Sequence, residues 1–277
     1  MDILTLYVGQ GALAVVRHGC EAVFVDSLLP GSDNGARQAV EAKLERLLRG
    51  YTVPGLMLTG LDSDHCCPDG VELILSKYEP AWVMYPKYYK DTDCAAEAFR
   101  IVDRHVRRRQ SSSRPLRRVS VRLDRMDSRM LTGLAQQFQF ELFSPHTEDM
   151  DNSNNSSIVL KLTGNGGTGF SYLITGDTEN DRWERINALF GTALRSSVLA
   201  APHHGAKNGA HAGTILLVEP NTVLISAGVD NPYGHPDPQA VRAYRKVANH
   251  VYATNVEGGV SLFTKANGAD FETALVK

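Results

Sequence analysis

Three short apolar runs in this chain each stop at a cluster of carboxylates or imidazoles. Residues 56–58 lead into Asp62, Asp64 and His65, residues 172–174 into Asp177, and residues 198–200 into His203 and His204. Apolar runs of this length, bounded by Gly, Pro and polar residues, read as strands. The end of a strand is where a rigid scaffold presents functional side chains. One such cluster has ordinary explanations: Asp62 and Asp64 as caps of a following helix, His203-His204 as a surface pair. Three of them, alike in chemistry and position, require a fold that gathers the ends of separate strands at one place.

The remaining pattern supplies such a fold. Strands are expected at residues 3–8, 12–16, 22–25, 55–58, 82–85, 138–144, 156–162, 170–175, 198–200, 222–226, 251–254 and 259–263. Helices are expected at 36–48, 70–77, 92–108, 180–190 and 213–218. Two sets of strands, each with its own helices, imply stacked sheets flanked by helices. With 277 residues, a chain buries roughly three quarters of its unfolded surface as one large domain. The expectation is one α+β domain over residues 1–277.

Composition excludes several classes. A net charge of −2 rules out a chain that is a polyelectrolyte binder as a whole. The four cysteines (Cys20, Cys66, Cys67, Cys94) show no C-x-x-C spacing, which argues against a disulfide framework and a thiolate zinc site. The start lacks a basic segment followed by an apolar run, and no stretch approaches about 18 apolar residues, so a cytoplasmic protein without a membrane span is expected. The glycine-rich segment 164–169 lacks the Lys-Ser/Thr ending of a phosphate-binding loop. No repeat or low-complexity tract is present.

The donor types suit a metal. Carboxylate oxygen and imidazole nitrogen together fit Zn²⁺, Mn²⁺ or Fe²⁺. Asp62, Asp64 and His65, close together after one strand, can converge on two neighbouring ions. Two ions about 3.5–4 Å apart stabilise both attacking and leaving oxygens in phosphoester hydrolysis.

Thr59-Gly60-Leu61-Asp62-Ser63-Asp64-His65 resembles the H-x-H-x-D-H signature of the metallo-β-lactamase superfamily, in the H-x-D-x-D-H form of its ComEC-type competence-protein nuclease domains. Further segments are similar to that branch in order: Tyr7-Val8-Gly9-Gln10-Gly11 to D-V-G-Q-G, and Val25-Asp26 to I-D. Leu173-Ile174-Thr175-Gly176-Asp177 resembles L-L-T-G-D, and Ala201-Pro202-His203-His204-Gly205-Ala206-Lys207 resembles V-P-H-H-G-S-K. Ser226-Ala227-Gly228 with Asn231 and Tyr233-Gly234-His235-Pro236 resembles S-x-G…N-x-Y-G-H-P. The resemblance spans about residues 3–263.

It implies a four-layer αββα fold and a hydrolase holding one or two divalent ions, Zn²⁺ or Mn²⁺, that acidify the attacking water. Asp64 and His65, with His203 or His204, would hold one ion; Asp177 would bridge; Asp62 would belong to the other. His146 falls near the place where other branches carry a metal-binding His. Asp64, His235 and Lys207 form the implied catalytic set, with His235 or Lys207 stabilising charge on phosphate oxygens. Asp26 would orient the site and, with Ser226, Asn231 and Tyr233, face the substrate. Two departures stand out. Gly60 replaces the first His of the signature and has no donor atom, and Tyr7 replaces the opening Asp.

Between residues 100 and 129 lie eleven arginines, at 100, 104, 107, 108, 109, 114, 117, 118, 122, 125 and 129, offset by Asp103, Asp124 and Asp127. Arginine forks match phosphate oxygens. The segment, Arg107, Arg108 and Arg109 above all, is expected to contact a nucleic-acid substrate near the mouth of the site; the bland alternative is a solvated helix face. Trp82, Tyr85, Tyr88 and Tyr89 are expected in packing. The reading is a metal-dependent phosphodiesterase acting on DNA. Its alternatives are hydrolysis of a small molecule (cyclic nucleotide, lactone or thioester) and, because of Gly60, a degenerate metal-binding sensor. Such a sensor would serve a protein partner in a multi-gene system such as phage defence.

Overall fold

Alternation along the strands sorts the apolar side chains into two faces, and that sorting builds the layers. In the strand Ala14–His18 (β2), Ala14 and Val16 face one way and Val15 the other; in Glu21–Val25 (β3), Val23 and Val25 oppose Ala22 and Phe24. Each sheet therefore needs cover on both sides. The computed structural model describes residues 1–276 except 33–34, 89, 126–130, 150–151, 167–169, 257 and 268–269.

The first sheet contains β1 (Asp2–Thr5), β2, β3, β4 (Gly55–Met57), β5 (Trp82–Pro86) and β6 (Arg117–Val121), with the hairpin β13 (Ser261–Asn267) and β14 (Asp270–Val276) added at the β1 edge. Its order is β14-β13-β1-β2-β3-β4-β5-β6. The second sheet runs β12 (His250–Ala253), β11 (Thr222–Ile225), β10 (Val198–Ala200), β9 (Ser171–Ile174), β8 (Val159–Gly164) and β7 (Phe138–Ser144). On the first sheet pack α1 (Ala36–Leu48), α2 (Pro68–Lys77) and α3 (Asp93–Arg109). On the second pack α4 (Asn180–Phe190), α5 (Ala212–Val218) and α6 (Pro238–Arg245).

Three apolar cores follow the three interfaces. One joins the first sheet to its helices through Phe24, Leu44, Leu56, Ile74 and Val102. The middle core lies between the sheets and contains Val16, Val25, Met57, Trp82, Leu160, Tyr172 and Leu224. The third joins the second sheet to its helices through Leu173, Trp183, Ile186, Val223 and Tyr244. This is the expected αββα order.

Two sets of strands are parallel: β3, β4, β5 and β6 in one sheet, and β9, β10, β11 and β12 in the other. The carboxyl ends of each set gather at one edge, where ligands bind in open α/β sheets. Strand β6, helix α6 and strand β14 lie outside the expected element list. β6 begins Arg117-Arg118, so its charge hides its period; only Val119 and Val121 are buried.

The arginine segment is differently placed than expected. Helix α3 returns from the site end of β5 to the start of β6, so its last turn, with Arg107, Arg108 and Arg109, lies about 25 Å from its first. Arg109 is 5% exposed, and its guanidinium donates to the carbonyls of Pro80, Glu79 and Arg114 at 2.9, 3.3 and 2.6–2.9 Å. It ties the helix end to the chain entering β5, its guanidinium taken up by main-chain carbonyls. Arg108 donates to the His105 ring at 3.1 Å. Arg100, Arg104, Arg118 and Arg122 pair with Glu97, Glu72, Asp103 and Asp124. Most of the run is a charged helix face and strand edge. Arg129 lies outside the described residues, as do Tyr89 and part of the 164–169 loop. Trp82 is fully buried, with Nε1–H donating to the Leu134 carbonyl at 2.6 Å, and Tyr85 packs edge-on against Phe99. Among the described residues, no helix is long and apolar enough to cross a membrane.

Candidate metal centre

Strand ends from both sheets supply the site. β3 ends in Asp26, β4 runs on to Thr59 and the 61–65 turn, β9 leads to Asp177, β10 to His203 and His204, and β11 to Ser226. Main-chain bonds fix these segments on one another. Asp26 N–H donates to the Met57 carbonyl at 2.7 Å, Ala12 N–H to Asp64 at 2.9 Å, and His203 N–H to Gly176 at 3.0 Å. Asp26, His203 and His204 have φ values of 60°, 52° and 54°. Left-handed backbone at non-glycine residues costs energy and persists where the surroundings impose it, as at binding sites. Two glycines are needed by close approach. A Cβ on Gly176, with φ of 51°, would lie 2.7 Å from the Ser157 side chain, and one on Gly11 would lie 2.6 Å from the Asp64 carbonyl oxygen.

Asp64, His65, Asp177 and His204 each bring one donor atom into a group within 4.8 Å of one another. His65 Nε2 lies 3.0 Å from Asp177 Oδ1, while His204 Nε2 lies 3.3 Å from Asp64 Oδ2 and 3.6 Å from Asp177 Oδ1. These atoms are close but not directed at one another as hydrogen bonds. His65 Nε2, His204 Nε2 and Asp177 Oδ1 are all buried without a hydrogen-bond partner. Orphaned buried polar atoms are costly, and several aimed at one point fit a shared cation. Two carboxylates and two imidazoles are ligands that Zn²⁺ and Mn²⁺ accept.

The other face of each imidazole is fixed. Asp26 accepts from His65 Nδ1 at 2.9 Å and from the Thr59 hydroxyl and N–H at 2.6–2.9 Å. The Ser226 carbonyl accepts from His204 Nδ1 at 2.8 Å. With Nδ1–H donated away, each Nε2 lone pair is left for the centre, the arrangement that orients metal-binding histidines. The electrostatics agree. Burial alone would lower the His65 imidazole, yet Asp177, Asp26 and Asp64 hold it well above the usual histidine range. His204 is raised against burial by Asp177 and Asp64. Burial would push the Asp177 carboxyl up, but His65 and His204 hold it well below the carboxylate range. The field here favours positive charge.

Asp64, Asp177 and His204 line the floor of an open cleft of about 410 Å³, walled by Gln10, Asp62, Asn154, His203, Tyr233 and His235. Tyr233 is 69% exposed and stacks on the His235 ring at 5.8 Å. Burial and the nearby His203 keep the His235 imidazole below the usual range. Lys207 lies in an adjoining groove of about 390 Å³ that shares Tyr233 and His235.

Several expected roles change. Asp62 stands outside the four-residue group; its oxygens take Lys90 Nζ and the Ser153 hydroxyl. His146 also stands outside it, its N–H capped by Asp149 at 2.6 Å. His203 turns its Nδ1 to 3.7 Å from Glu179 and its ring to His235, leaving His204 as the member of the pair in the centre. Asp26 is 2% exposed and acts on His65, not on substrate. Ser226 holds His204 through its carbonyl, and its hydroxyl donates to Gly11 at 2.7 Å. Asn231 bonds the main chain of Gly228 and His235, bracing the loop that carries His235. Sequence reasoning missed Thr59, Lys90, Ser153 and Glu179. Only Glu179, an acid two residues after Asp177, left a readable signal.

No family model matches the chain. It is 32% identical over 123 residues to ComE operon protein 3 of Bacillus subtilis, and 29% identical over 126 residues to Recombination protein 2 of Haemophilus influenzae. Those matches cover 44% and 45% of this chain but only 15% of each relative, so the chain spans a small part of either. Among solved structures it is similar to Igni18, a metallo hydrolase of the archaeon Ignicoccus hospitalis. The TM-score is 0.52 at 14% identity, over 96% of this chain and all of that one, which is a likeness of fold.

Proposed function

Because this chain carries a ComEC-like domain of the metallo-β-lactamase type, we propose that it is a metal-dependent phosphodiesterase acting on DNA. The observation that carries this reading is the convergence of buried, unpartnered donor atoms from His65, Asp177 and His204, with Asp64, at an open cleft whose floor Asp64, Asp177 and His204 line. These four residues would hold a divalent ion. Such an ion lowers the pKa of a water towards neutrality and supplies a nucleophile near pH 7. The protein's own groups do the rest. Asp26 and the Ser226 carbonyl keep the two imidazoles aimed. His235, beside the cleft and held neutral by burial and His203, donates a hydrogen bond to a phosphate oxygen. Tyr233, exposed on the rim and backed by His235, offers a face on which an unpaired base stacks. Lys207, one groove further along, meets the next phosphate of the same strand.

The test is cleavage of end-labelled single- and double-stranded DNA by purified protein with Mn²⁺, Zn²⁺ or Mg²⁺. Cleavage that needs the cation and stops with chelator is the expected result; no cleavage of either substrate with any of the three rejects it. One observation favours a second reading, a small phosphodiester such as a cyclic nucleotide: the Arg107–Arg109 turn lies far from the cleft. Salt separates the two. Cleavage of a strand held through Lys207 and its neighbours weakens steeply with salt, whereas a small substrate within the cleft responds little.

A further inference from the structure

Resting on that reading, we infer that the centre is built for a single divalent ion, and that the Lys90 ammonium occupies Asp62, the carboxylate a second ion would need. Gly60 stands open to a side chain. Its φ lies outside the left-handed region, and a Cβ there would meet nothing closer than His65 Cγ at 3.9 Å. Gly11 is different: its Cβ would run into Asp64. The backbone therefore does not require glycine at 60, and the fold has room for the side chain whose donor is missing.

What replaces that donor is a cation. Lys90, in the loop between β5 and α3, reaches Asp62 Oδ1 and lies 3.1 Å from the Ser153 hydroxyl, which in turn donates to Asp62 Oδ2. Both oxygens of Asp62 are thus claimed by a closed triangle of side chains. The loop is pinned, since Thr92 N–H donates to the Lys90 carbonyl at 3.0 Å and Thr92 caps α3. Burial draws the Lys90 amine below the usual lysine range, and the charge of Asp177 opposes that shift. The other two imidazoles expected as ligands lie outside the four-donor group: the His146 main-chain N–H is capped by Asp149, and His203 turns towards Glu179 and His235. Their Nδ1 atoms are buried without a hydrogen-bond partner, yet neither joins Asp62 in a donor cluster among the described residues. A lysine fixed by a carboxylate and a hydroxyl supplies positive charge at the cleft wall without needing a ligand at 60.

Ion content decides this without any assay of cleavage. Protein saturated with Mn²⁺ or Zn²⁺ and freed of excess is measured by native mass spectrometry and elemental analysis, beside Asp177→Ala. The expected result is one ion per parent chain and a loss of it in Asp177→Ala. Two ions per parent chain overturn the single-ion inference and leave the proposed hydrolase standing. No ion in either protein overturns both. Variants then test Lys90 itself. Gly60→His with Lys90→Ala should take up a second ion, and Gly60→His alone should bind it roughly tenfold or more weakly, because the ammonium remains in place. Equal second-ion affinity in the two variants would remove Lys90 from this role. Should the double variant fail to fold, the count in the parent protein still decides.

Discussion

The two sides of the 61–65 turn, Asp62 and Asp64, are two residues apart and differ in kind. On one side Asp64 and His65 join Asp177 and His204, with unpartnered donors aimed inward and the far side of each imidazole fixed. On the other, both oxygens of Asp62 are taken by Lys90 and Ser153, and Gly60, two residues before it, offers no donor. A ligand motif read along the chain treats Asp62 and Asp64 as equals. In space, what distinguishes them is whether each carboxylate oxygen has already found a proton donor. A donor left unsatisfied at a cost is poised for an ion; one already satisfied is not.

The hardest blow to that contrast is His65→Ala, which removes a donor from the filled side. An ion in such a site is worth several kcal/mol of charge stabilisation, so cleavage should drop by about a thousandfold or more. Asp26→Asn leaves every donor in place but frees the His65 ring, and should weaken ion affinity by about 10–100-fold in a calorimetric titration. Asp62→Asn touches only the other side. Its ion affinity should stay within about threefold of the parent, the effect of a partly exposed, screened charge; a loss as large as that of Asp26→Asn would put Asp62 back among the ligands. Arg107→Glu with Arg108→Glu, at the far end of α3, should change cleavage by less than about twofold in moderate salt.

The smallest effect lies on the outer helices. Burial would raise the Glu72 carboxyl, but hydrogen bonds from Ser76, His105 and Arg104 bring it down to about 2. A carboxylate lowered on folding adds stability above its ordinary value of 4.5, and that stability is lost as pH falls from about 4.5 towards 2. Glu72 is partly exposed, so the contribution is discounted to about 1 kcal/mol or less. Glu72→Gln should lower the midpoint of denaturation slightly at pH 7 and not at all near pH 2.

Much of this was legible in the chain. The strand-end clusters located Asp64, His65, Asp177 and the His203-His204 pair, because short apolar runs followed by polar turns are a local signal. Which of the two histidines enters the centre was not legible, since it depends on left-handed backbone at both and on a carbonyl of Ser226 that is distant in sequence. Lys90 and Ser153 were invisible for the same reason: they meet Asp62 only after β5 and β8 take their places in different sheets. The arginine run misled because density of charge in sequence carries no direction. A helix of 17 residues carried its basic end to the opposite edge of the sheet, and Arg109 spent its guanidinium on main-chain carbonyls.

The central claim, that the Asp64–His65–Asp177–His204 group holds the ion that drives hydrolysis, is most directly tested at Asp177, whose Oδ1 approaches the Nε2 atoms of both imidazoles, at 3.0 Å from His65 and 3.6 Å from His204. Cleavage of labelled DNA by Asp177→Ala and by the parent protein is compared at equal concentration of folded protein and saturating Mn²⁺. The account predicts that cleavage by the variant falls to background; cleavage at the parent rate would contradict it.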